Sequence, residues 1–519
     1  MNPRKVLHLC RACVLVPLLL ATGTGHLSGQ EMLGVINGNY SGVNGLLINP
    51  ANAGITRSGI SINLLGGDFF LNSNYFFVNR KDYSFIRLFS LDINDPAYMH
   101  IYDFPEYLFR DTVHYFDYFK NTDQKYLFSN LRIAGPSLTI RMGRHAFSLV
   151  TGWRNNLSVE KFPYNAANFI FRGQDYSPQH NITYDEGYFT FTALSWIELG
   201  LGYSYTVYKD DLNEINAGIT AKGLLCTGAA YGIVDNVTYM VPNTDSIYFY
   251  KMNATVGLDL PMNYADNSFP VFDPFVRGTG FSGDIGINYI YSGGYDPPET
   301  ASSRNRPDPE QKYLFRMGLS LLDAGWIRLH KGVQVHEFND VDNRLWSGLR
   351  NYHAGSVQNL LRSASYNLLG DSLASLTGIT SFTTYLPTAA SFQLDYYVGY
   401  NLFVNATVVQ GIRLGKPSVR RPTLISITPR YETPIYEVSL PVSLVDFENP
   451  AIGLAVRIYS LVIGTEKLGT FLNLTDVKGI DFYFSLGINL NPKNNRWSFK
   501  GTREAPCDAY PDYRRYQVM

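Results

Sequence analysis

Long runs of strict apolar–polar alternation mark the second half of the chain. In residues 391–405, the even-numbered positions from Phe392 to Val404 are apolar, whereas the odd-numbered positions are mostly polar or glycine. Residues 436–444 and 480–490 repeat this pattern. Because successive side chains of a β-strand point to opposite faces, each run predicts a strand with one apolar face and one polar face.

The length of these runs separates two classes of β-protein. Strands of soluble proteins are usually about five or six residues long, whereas a tilted transmembrane strand needs roughly nine to eleven. These runs reach nine to fifteen residues, so we predict an all-β, transmembrane antiparallel β-barrel with its apolar face towards lipid. A β-sandwich with one solvated face shows the same alternation and is the alternative.

Further strand-like runs extend the pattern over residues 58–490. Allowing for runs that merge or split, we predict about fourteen strands, because single-chain bacterial barrels have even numbers; twelve or sixteen are alternatives. The further runs are 58–78, 131–142, 145–156, 198–208, 214–226, 230–241, 246–259, 281–292, 314–329, 333–338, 406–414, 423–433 and 452–464.

Other segments lack this alternation. Residues 94–124 mix aromatic and acidic side chains, and we interpret them as a lumen plug, a lipid-contacting lid or an ordinary extracellular loop. Residues 293–311 predict a surface loop. Residues 340–378 show helical spacing and predict a short helical insertion between strands.

The chain ends in a polar stretch, residues 491–519, which we predict to be a periplasmic tail. Its Arg514-Arg515 pair is a candidate contact for a partner protein, and plain disorder is the alternative.

The first thirty residues are typical of a secretory signal peptide. Arg4 and Lys5 form a basic start, residues 14–21 are apolar, and small residues at 28–30 suit cleavage. The apolar stretch is too short for a spanning helix. We therefore expect residues 1–30 to be removed on export.

The four cysteines divide between the signal peptide and the rest of the chain. Cys10 and Cys13 lie within residues 1–30, which leaves Cys226 and Cys507. A disulfide between these two requires an oxidising envelope, and their positions in a strand-like run and in the tail argue against it.

Residues 31–57 precede the first predicted strand, and we predict that they form an N-terminal hatch. Within them, Pro50 lacks a backbone donor and biases Asn49 towards an extended conformation, so a turn or helix cap is expected there. Gly54 permits a sharp change of direction before residue 58.

Composition narrows the range of functions. The 38 Tyr, 32 Phe and 45 Gly favour strands and turns, and the net charge of −1 indicates no nucleic-acid partner. The motifs G-x-S-x-G, H-E-x-x-H and the P-loop are absent, so we predict no enzyme activity and no cofactor. His330 and His336 are too weakly patterned to predict a metal site.

Several stretches resemble known families. The Asn49-Pro50-Ala51 sequence resembles the N-P-A motif in the hatch of FadL-like transporters, and residues 48–54, which end at Gly54, resemble the opening of the type IX secretion proteins PorV and PorP/SprF. Residues 281–291, 319–327, 385–396, 427–444 and 455–468 are similar to the DUF5723-type barrels of Bacteroidota. This resemblance implies a single outer-membrane barrel with an N-terminal plug.

Together these features predict a monomeric barrel in the outer membrane of a Gram-negative bacterium. The predicted function is hydrophobic-solute transport or a plugged channel, with Asn49, Pro50, Ala51 and Gly54 as hatch or gate residues. The alternative is a non-transporting scaffold that docks type IX secretion or gliding machinery. The expected partners are membrane lipid, a hydrophobic small molecule, and a periplasmic or secretion-system protein.

Overall fold

A computed structural model describes residues 31–80, 117–174, 176–293, 313–352 and 354–490. Its strands are β1 (Ile60–Ser73), β2 (Phe76–Phe77), β3 (Asp117–Tyr118), β4 (Lys125–Ala134), β5 (Ser137–Met142), β6 (His145–Phe162), β7 (Thr183–Glu186), β8 (Phe189–Lys209), β9 (Asn213–Asn243), β10 (Ser246–Asp259), β11 (Gly278–Tyr291), β12 (Phe315–Leu329), β13 (Gln334–Ser347), β14 (Phe382–Tyr385), β15 (Ala389–Gly399), β16 (Leu402–Gly411), β17 (Leu424–Glu432), β18 (Tyr436–Ser439), β19 (Val442–Val445), β20 (Glu448–Ile452), β21 (Leu454–Ile458), β22 (Leu461–Thr465) and β23 (Gly479–Leu490).

Short helices connect some of these strands. They are α1 (Tyr164–Arg172), α2 (Val357–Leu369) and α3 (Leu468–Phe471), with 3-10 turns at Gly42–Leu47, Pro50–Gly54, Ser177–Gln179 and Leu349–Asn351. Within the described ranges, no helix has the length and apolar character needed to cross a membrane.

The sheet closes on itself. Strand β1 pairs antiparallel with β23 from Ile60 opposite Leu490 to Asn72 opposite Gly479. Broken strands share single positions in the wall, namely β4 with β5, β14 with β15, β18 with β19, and β20 with β21. The result is a closed antiparallel barrel of fourteen strand positions, which confirms the predicted fold class and strand number.

Outward and inward positions alternate along each wall strand. On β8, Leu201 is 67% exposed on the outer face, whereas Glu198 and Ser204 are buried on the inner face. Exposed leucine, isoleucine and phenylalanine side chains continue this outer face on the neighbouring strands. The apolar face therefore points to lipid and the polar face to the lumen, and the sandwich alternative is wrong because the sheet has closed.

Several predicted strand boundaries differ from the structure, and the run 452–464 forms not one strand but β21 and β22, which pair antiparallel around a turn at Tyr459. Residues 391–405 form not one strand but β15 and β16, joined by a two-residue turn in which Tyr400 and Asn401 have φ of 53° and 63°. A two-residue turn preserves the even–odd phase, so the sequence pattern runs through it unbroken. Conversely, the runs 214–226 and 230–241 form one 31-residue strand, β9.

The far half of β9 rises beyond the barrel. There it pairs with β7 and β10, and β10 pairs with β13 from Leu258 opposite Gln334 to Ser246 opposite Ser347. This pairing extends β13 over residues that were predicted to be helical, so the inserted helix is shorter than the predicted 340–378 and occupies only Val357–Leu369.

Some predictions lie outside the described residues. These are the signal peptide 1–30, the tail 491–519 with Arg514, Arg515 and Cys507, residues 94–116 of the aromatic segment, and residues 294–311 of the surface loop.

Candidate functional site

Residues 31–57, hereafter the interior segment, lie inside the barrel and form no strand. The Asn37 side-chain amide donates to Asn405 on β16 at 3.1 Å. From another part of the wall, the Ser204 hydroxyl on β8 donates to the Ala51 carbonyl at 3.4 Å. Because β8 and β16 lie at separate positions around the barrel, the segment crosses the lumen.

Asn49 connects the interior segment to the wall. It has an extended backbone, with φ of −162°, and its side-chain oxygen accepts a hydrogen bond from the Ala51 amide at 2.9 Å, so it caps the 3-10 turn that begins at Pro50. The side-chain nitrogen lies within 3.2 Å of three acceptors, the Ile287 carbonyl and the side-chain oxygens of Asn288 and Gln393. The Asn49 side chain therefore both caps the 3-10 turn and anchors it to the wall.

Three wall glycines form a cradle for this turn. A Cβ atom on Gly218 of β9 would lie 2.5 Å from the Ala51 nitrogen, and one on Gly318 of β12 would lie 2.9 Å from Nδ2 of Asn49. A Cβ atom on Gly286 of β11 would clash with the Asn49 side-chain oxygen. Sequence reasoning missed these residues, although glycine at lumen-facing positions of three adjacent strands was the available signal.

Gly54 ends the same turn in close contact with the wall. A Cβ atom at this position would lie 2.9 Å from the Ser204 hydroxyl and 3.0 Å from the side-chain oxygen of Asn216. The Arg141 guanidinium donates to the carbonyl oxygens of Gly54 and Thr56 at 3.4 and 2.9 Å. Asn49, Pro50, Ala51 and Gly54 thus lie together on one turn.

A second clamp holds the start of the interior segment. The Asn39 amide donates to Glu432 at 3.2 Å, and Glu432 also accepts from Arg430 at 2.8 Å. The Tyr313 hydroxyl lies 3.1 Å from the Asn39 side-chain oxygen and 2.7 Å from a carboxylate oxygen of Asp395. The two terminal guanidinium nitrogens of Arg430 donate to the two carboxylate oxygens of Asp395. The available signal for this clamp in the sequence was the presence of ionisable residues on the polar face of the predicted strands.

A charged belt lines the lumen beside the turn. Lys222 lies 2.7 Å from Asp284 and 2.8 Å from Asp323, while Arg154 lies 2.9 Å from Asp323 and 3.5 Å from Glu198. All five side chains are buried. Because removing one partner of such a pair leaves an uncompensated charge, the belt strongly favours a single arrangement.

The interior segment joins this belt through Glu31, which forms an ion pair with Arg421. A cavity of about 30 Å³ remains between the segment and the belt, lined among others by Glu31, Leu46 and Asp68. This volume holds about two water molecules. The lumen is therefore filled at this level.

Towards the end of the barrel away from Ile60 and Leu490, the lumen becomes apolar. Inward-facing residues of β8, β9 and β12 pack there with side chains from β13, from β14 and from connecting residues 386 and 419. The cluster comprises Leu194, Trp196, Leu224, Cys226, Ala229, Tyr231, Ile327, Leu329, Val335, Phe382, Leu386 and Val419. We call it the apolar cap, and it closes the lumen beyond the charged belt.

The strand that forms this part of the wall is interrupted at Gly135 and Pro136, between β4 and β5, although the Gly135 amide still donates to the Thr151 carbonyl of β6 at 2.9 Å. Pro136 has no backbone donor, and the Ser137 hydroxyl, not a carbonyl of the ladder, accepts the Thr151 amide hydrogen bond at 3.0 Å. On the adjacent strand β1, the pairing with β23 shifts register between Asn63 and Leu65. We call this place the wall break.

An apolar space lies behind the wall break. Met32, Val43 and Leu47 of the interior segment line a cavity of about 20 Å³ whose wall side includes Ala134 and Phe484, together with the polar side chains of Asn63, Asp68 and Arg132. Met32 and Val43 are buried, whereas Ala134 and Phe484 are partly exposed. The wall break therefore brings the apolar side of the interior segment close to the outer face of the barrel.

The residues considered for other chemistry are dispersed. His330 is exposed, whereas His336 is buried against the Ser375 hydroxyl at 2.9 Å, and Cys226 is a buried free thiol. Across the described ranges, no group of three or more His, Cys, Asp or Glu is placed to hold a metal ion. The partner-contact candidates Arg514 and Arg515 fall outside those ranges.

A family model described as "Family of unknown function (DUF5723)" matches residues 50–466. No protein with a curated function matches the chain in sequence.

Solved structures of barrel channels are similar over most of their length. A TodX deletion mutant, a monoaromatic hydrocarbon channel, shares 9% identity over 87% of this chain and 95% of its own, with a TM-score of 0.40. The Ralstonia pickettii toluene transporter TbuX shares 10% over 90% and 96%, with a TM-score of 0.36. A Pseudomonas aeruginosa FadL homologue shares 10% over 85% and 93%, with a TM-score of 0.27. At these identities and TM-scores, substrate and gating do not transfer to this chain.

Proposed function

This chain belongs to the DUF5723 family, and we propose that it is an outer-membrane channel of a Gram-negative bacterium that admits a small hydrophobic molecule through the wall break. The observation that carries the proposal is the apolar space behind Gly135 and Pro136, bounded by Met32, Val43 and Leu47 of the interior segment. In the resting state, the interior segment closes this route.

The composition of the lumen supports a lateral route over an axial one. An apolar solute moving along the axis would have to pass the apolar cap and then displace the paired charges of Lys222, Asp323 and Arg154. Separating buried ion pairs costs several kcal/mol. A solute entering at the wall break meets apolar side chains first.

Movement of the interior segment is the gating step in this proposal. Asn49 and Gly54 hold its second turn, and Asn39 holds its start, so release of the Asn49 turn would let Leu47 withdraw from the cavity. The cradle glycines allow the turn to return to the closed position, because a side chain at any of these three wall positions would clash with it.

The membrane orientation follows from loop lengths. The turns between β5 and β6, β8 and β9, and β15 and β16 are short and lie at the end of the barrel that carries Ile60 and Leu490. Short turns of outer-membrane barrels face the periplasm. We therefore place this end, and the tail with Arg514 and Arg515, on the periplasmic side.

A non-transporting scaffold is the second candidate, and one observation favours it: the interior segment crosses the lumen, and the two cavities beside it have volumes of about 30 and 20 Å³. Such a barrel would dock a periplasmic or secretion-system protein, and its function would not require the interior segment to move.

A reversible disulfide between the interior segment and the wall tests the proposed gate. The 2.9 Å between a Cβ atom at Gly54 and Oγ of Ser204 is close to the spacing that a disulfide requires between the Cβ atom of one cysteine and the sulfur of the other. The double variant Gly54→Cys/Ser204→Cys should therefore close under oxidation. In proteoliposomes, we expect oxidation to stop influx of an apolar fluorescent probe and reduction to restore it, with each single variant insensitive to redox conditions.

Equal flux in both redox states would reject the proposed gate. Absence of flux in the wild type, together with stoichiometric capture of an envelope protein, would favour the scaffold.

A further inference from the structure

Residues 260–277, hereafter the rim loop, present three phenylalanine side chains to the outside of the barrel. Phe272 is 66% exposed and Phe275 is 46% exposed, and their ring centroids are 6.2 Å apart. Phe269 is exposed on the same loop. An exposed aromatic group of this kind on an ordered loop marks a surface that something covers.

The rim loop is held firmly at its base. Asp259, which precedes the loop, and Arg277, its last residue, form a buried ion pair at 2.9 Å, and the Arg277 amide donates to the Cys226 carbonyl at 2.8 Å. Both ends of the loop are therefore fixed to the wall at the height of Cys226.

One side of the rim loop packs against α2. The side-chain oxygen of Asn267 accepts from the Val357 amide at 2.9 Å, and the Tyr264 carbonyl accepts from the Gln358 amide at 2.9 Å. The phenylalanine rings lie outside these contacts, so the loop presents them from a fixed frame.

The position of the rim loop relative to the bilayer identifies what covers its phenylalanine rings. Strand β11 has 14 residues from Gly278 to Tyr291, whereas about nine to eleven tilted residues cross a bilayer. Its Gly278 end, which directly follows the rim loop, therefore reaches the boundary between hydrocarbon and headgroups. Just below, Phe281 is paired with Trp326, and both are exposed on the lipid-facing wall.

We propose that the rim loop is a membrane anchor whose phenylalanine rings, Phe269, Phe272 and Phe275, insert among the lipid acyl chains of the leaflet opposite the Ile60 and Leu490 end. The rings continue the lipid-facing surface of Phe281 and Trp326 outwards from the wall. Aromatic side chains at this height are typical of barrel girdles. The anchor goes beyond the proposed transport and does not depend on it.

Spin labelling in vesicles tests the anchor. In a full chain with Cys10, Cys13 and Cys507 changed to serine and the buried Cys226 retained, Phe272→Cys and Phe275→Cys each receive a nitroxide. Asp266→Cys, exposed and polar on the same loop, is the matched control, and the outward Leu319→Cys is the lipid reference. The variants are reconstituted in phosphatidylcholine vesicles, and collision with oxygen and with a water-soluble nickel chelate is measured.

We expect oxygen accessibility to exceed nickel accessibility at positions 272 and 275, as at 319, and the ratio to reverse at 266. Nickel-accessible labels at both 272 and 275 would overturn the anchor. Dipolar broadening that disappears on dilution with unlabelled protein would also overturn it, because a second copy of the chain would then cover the rings.

Discussion

Asn49 and Gln393 are 344 residues apart in sequence, yet the side-chain nitrogen of Asn49 donates to the side-chain oxygen of Gln393 at 3.2 Å. Gln393 lies on β15, and its own amide nitrogen reaches the Ile48 carbonyl at 3.4 Å. Each side chain therefore helps to fix the other. This pair ties the turn of the interior segment to a wall strand that forms much later in the chain.

Asn49→Ala removes the cap and leaves buried acceptors without a donor. We expect the free energy of unfolding in vesicles to fall by about 1–3 kcal/mol, as measured by urea titration. Asn49→Ser keeps a cap oxygen but cannot reach Gln393, so its loss should be intermediate. Equal stability of all three proteins would show that Asn49 is not an anchor.

Gly218→Ala places a methyl group against the backbone of Ala51. Because that contact would be 2.5 Å, the turn must shift, and we expect a stability loss of about 1–3 kcal/mol together with faster leakage of small solutes. The matched control is Gly223→Ala on the same strand, where the nearest atom is 4.0 Å away. Similar leakage from both variants in a liposome swelling assay would contradict the cradle.

Asp323→Asn removes the negative charge that Lys222 and Arg154 share in the charged belt. Removing one partner of a buried ion pair costs about 3–5 kcal/mol, so the urea midpoint should fall strongly even though Lys222 keeps Asp284 and Arg154 keeps Glu198. The control is Glu214→Gln, which removes the ion pair of Glu214 with the well-exposed Lys209. Loss of this surface ion pair should lower the free energy of unfolding by about 0–1 kcal/mol. Comparable midpoints for the two variants would be inconsistent with a structural belt.

Ala134→Trp should fill the apolar space behind the wall break. On the proposed route, influx of an apolar probe into proteoliposomes should then fall, because Ala134 lines the cavity of about 20 Å³. Ile133→Trp, one residue away on the exposed outer face, adds the same side chain to the lipid side and should leave influx unchanged. Unaltered influx in Ala134→Trp would remove the wall break from the route.

His336 gives the extension above the barrel a dependence on pH. Burial lowers the pKa of His336 below its ordinary value, so between about pH 6.5 and the folded pKa the unfolded chain binds more protons than the folded one. Stability is thus fully present above about pH 6.5 and is lost as the pH falls through this window. Protection of the β10 and β13 amides from hydrogen exchange, corrected for the slower intrinsic exchange at lower pH, should fall on acidification, and His336→Gln should remove most of that change.

The sequence by itself determined the class of fold and the local geometry of the turn. Alternation from Phe392 to Val404 follows from the two-residue period of a strand, and its length separates a membrane barrel from a soluble sheet. The extended cap at Asn49 follows from Pro50, whose ring restricts the residue before it. These are local effects, and neighbouring residues suffice to predict them.

Only the tertiary structure decided what those elements meet. Closure of the barrel, with its stagger between strands, brings Gln393 to Asn49, Gly218 to Ala51 and Asp323 to Lys222. The meeting points depend on bulges such as the one between Asn63 and Leu65, which moves the inward positions of β1 from odd to even numbers and shifts the pairings that follow. The filled lumen and the wall break are therefore properties of closure, because they arise from pairings across hundreds of residues that no local pattern encodes.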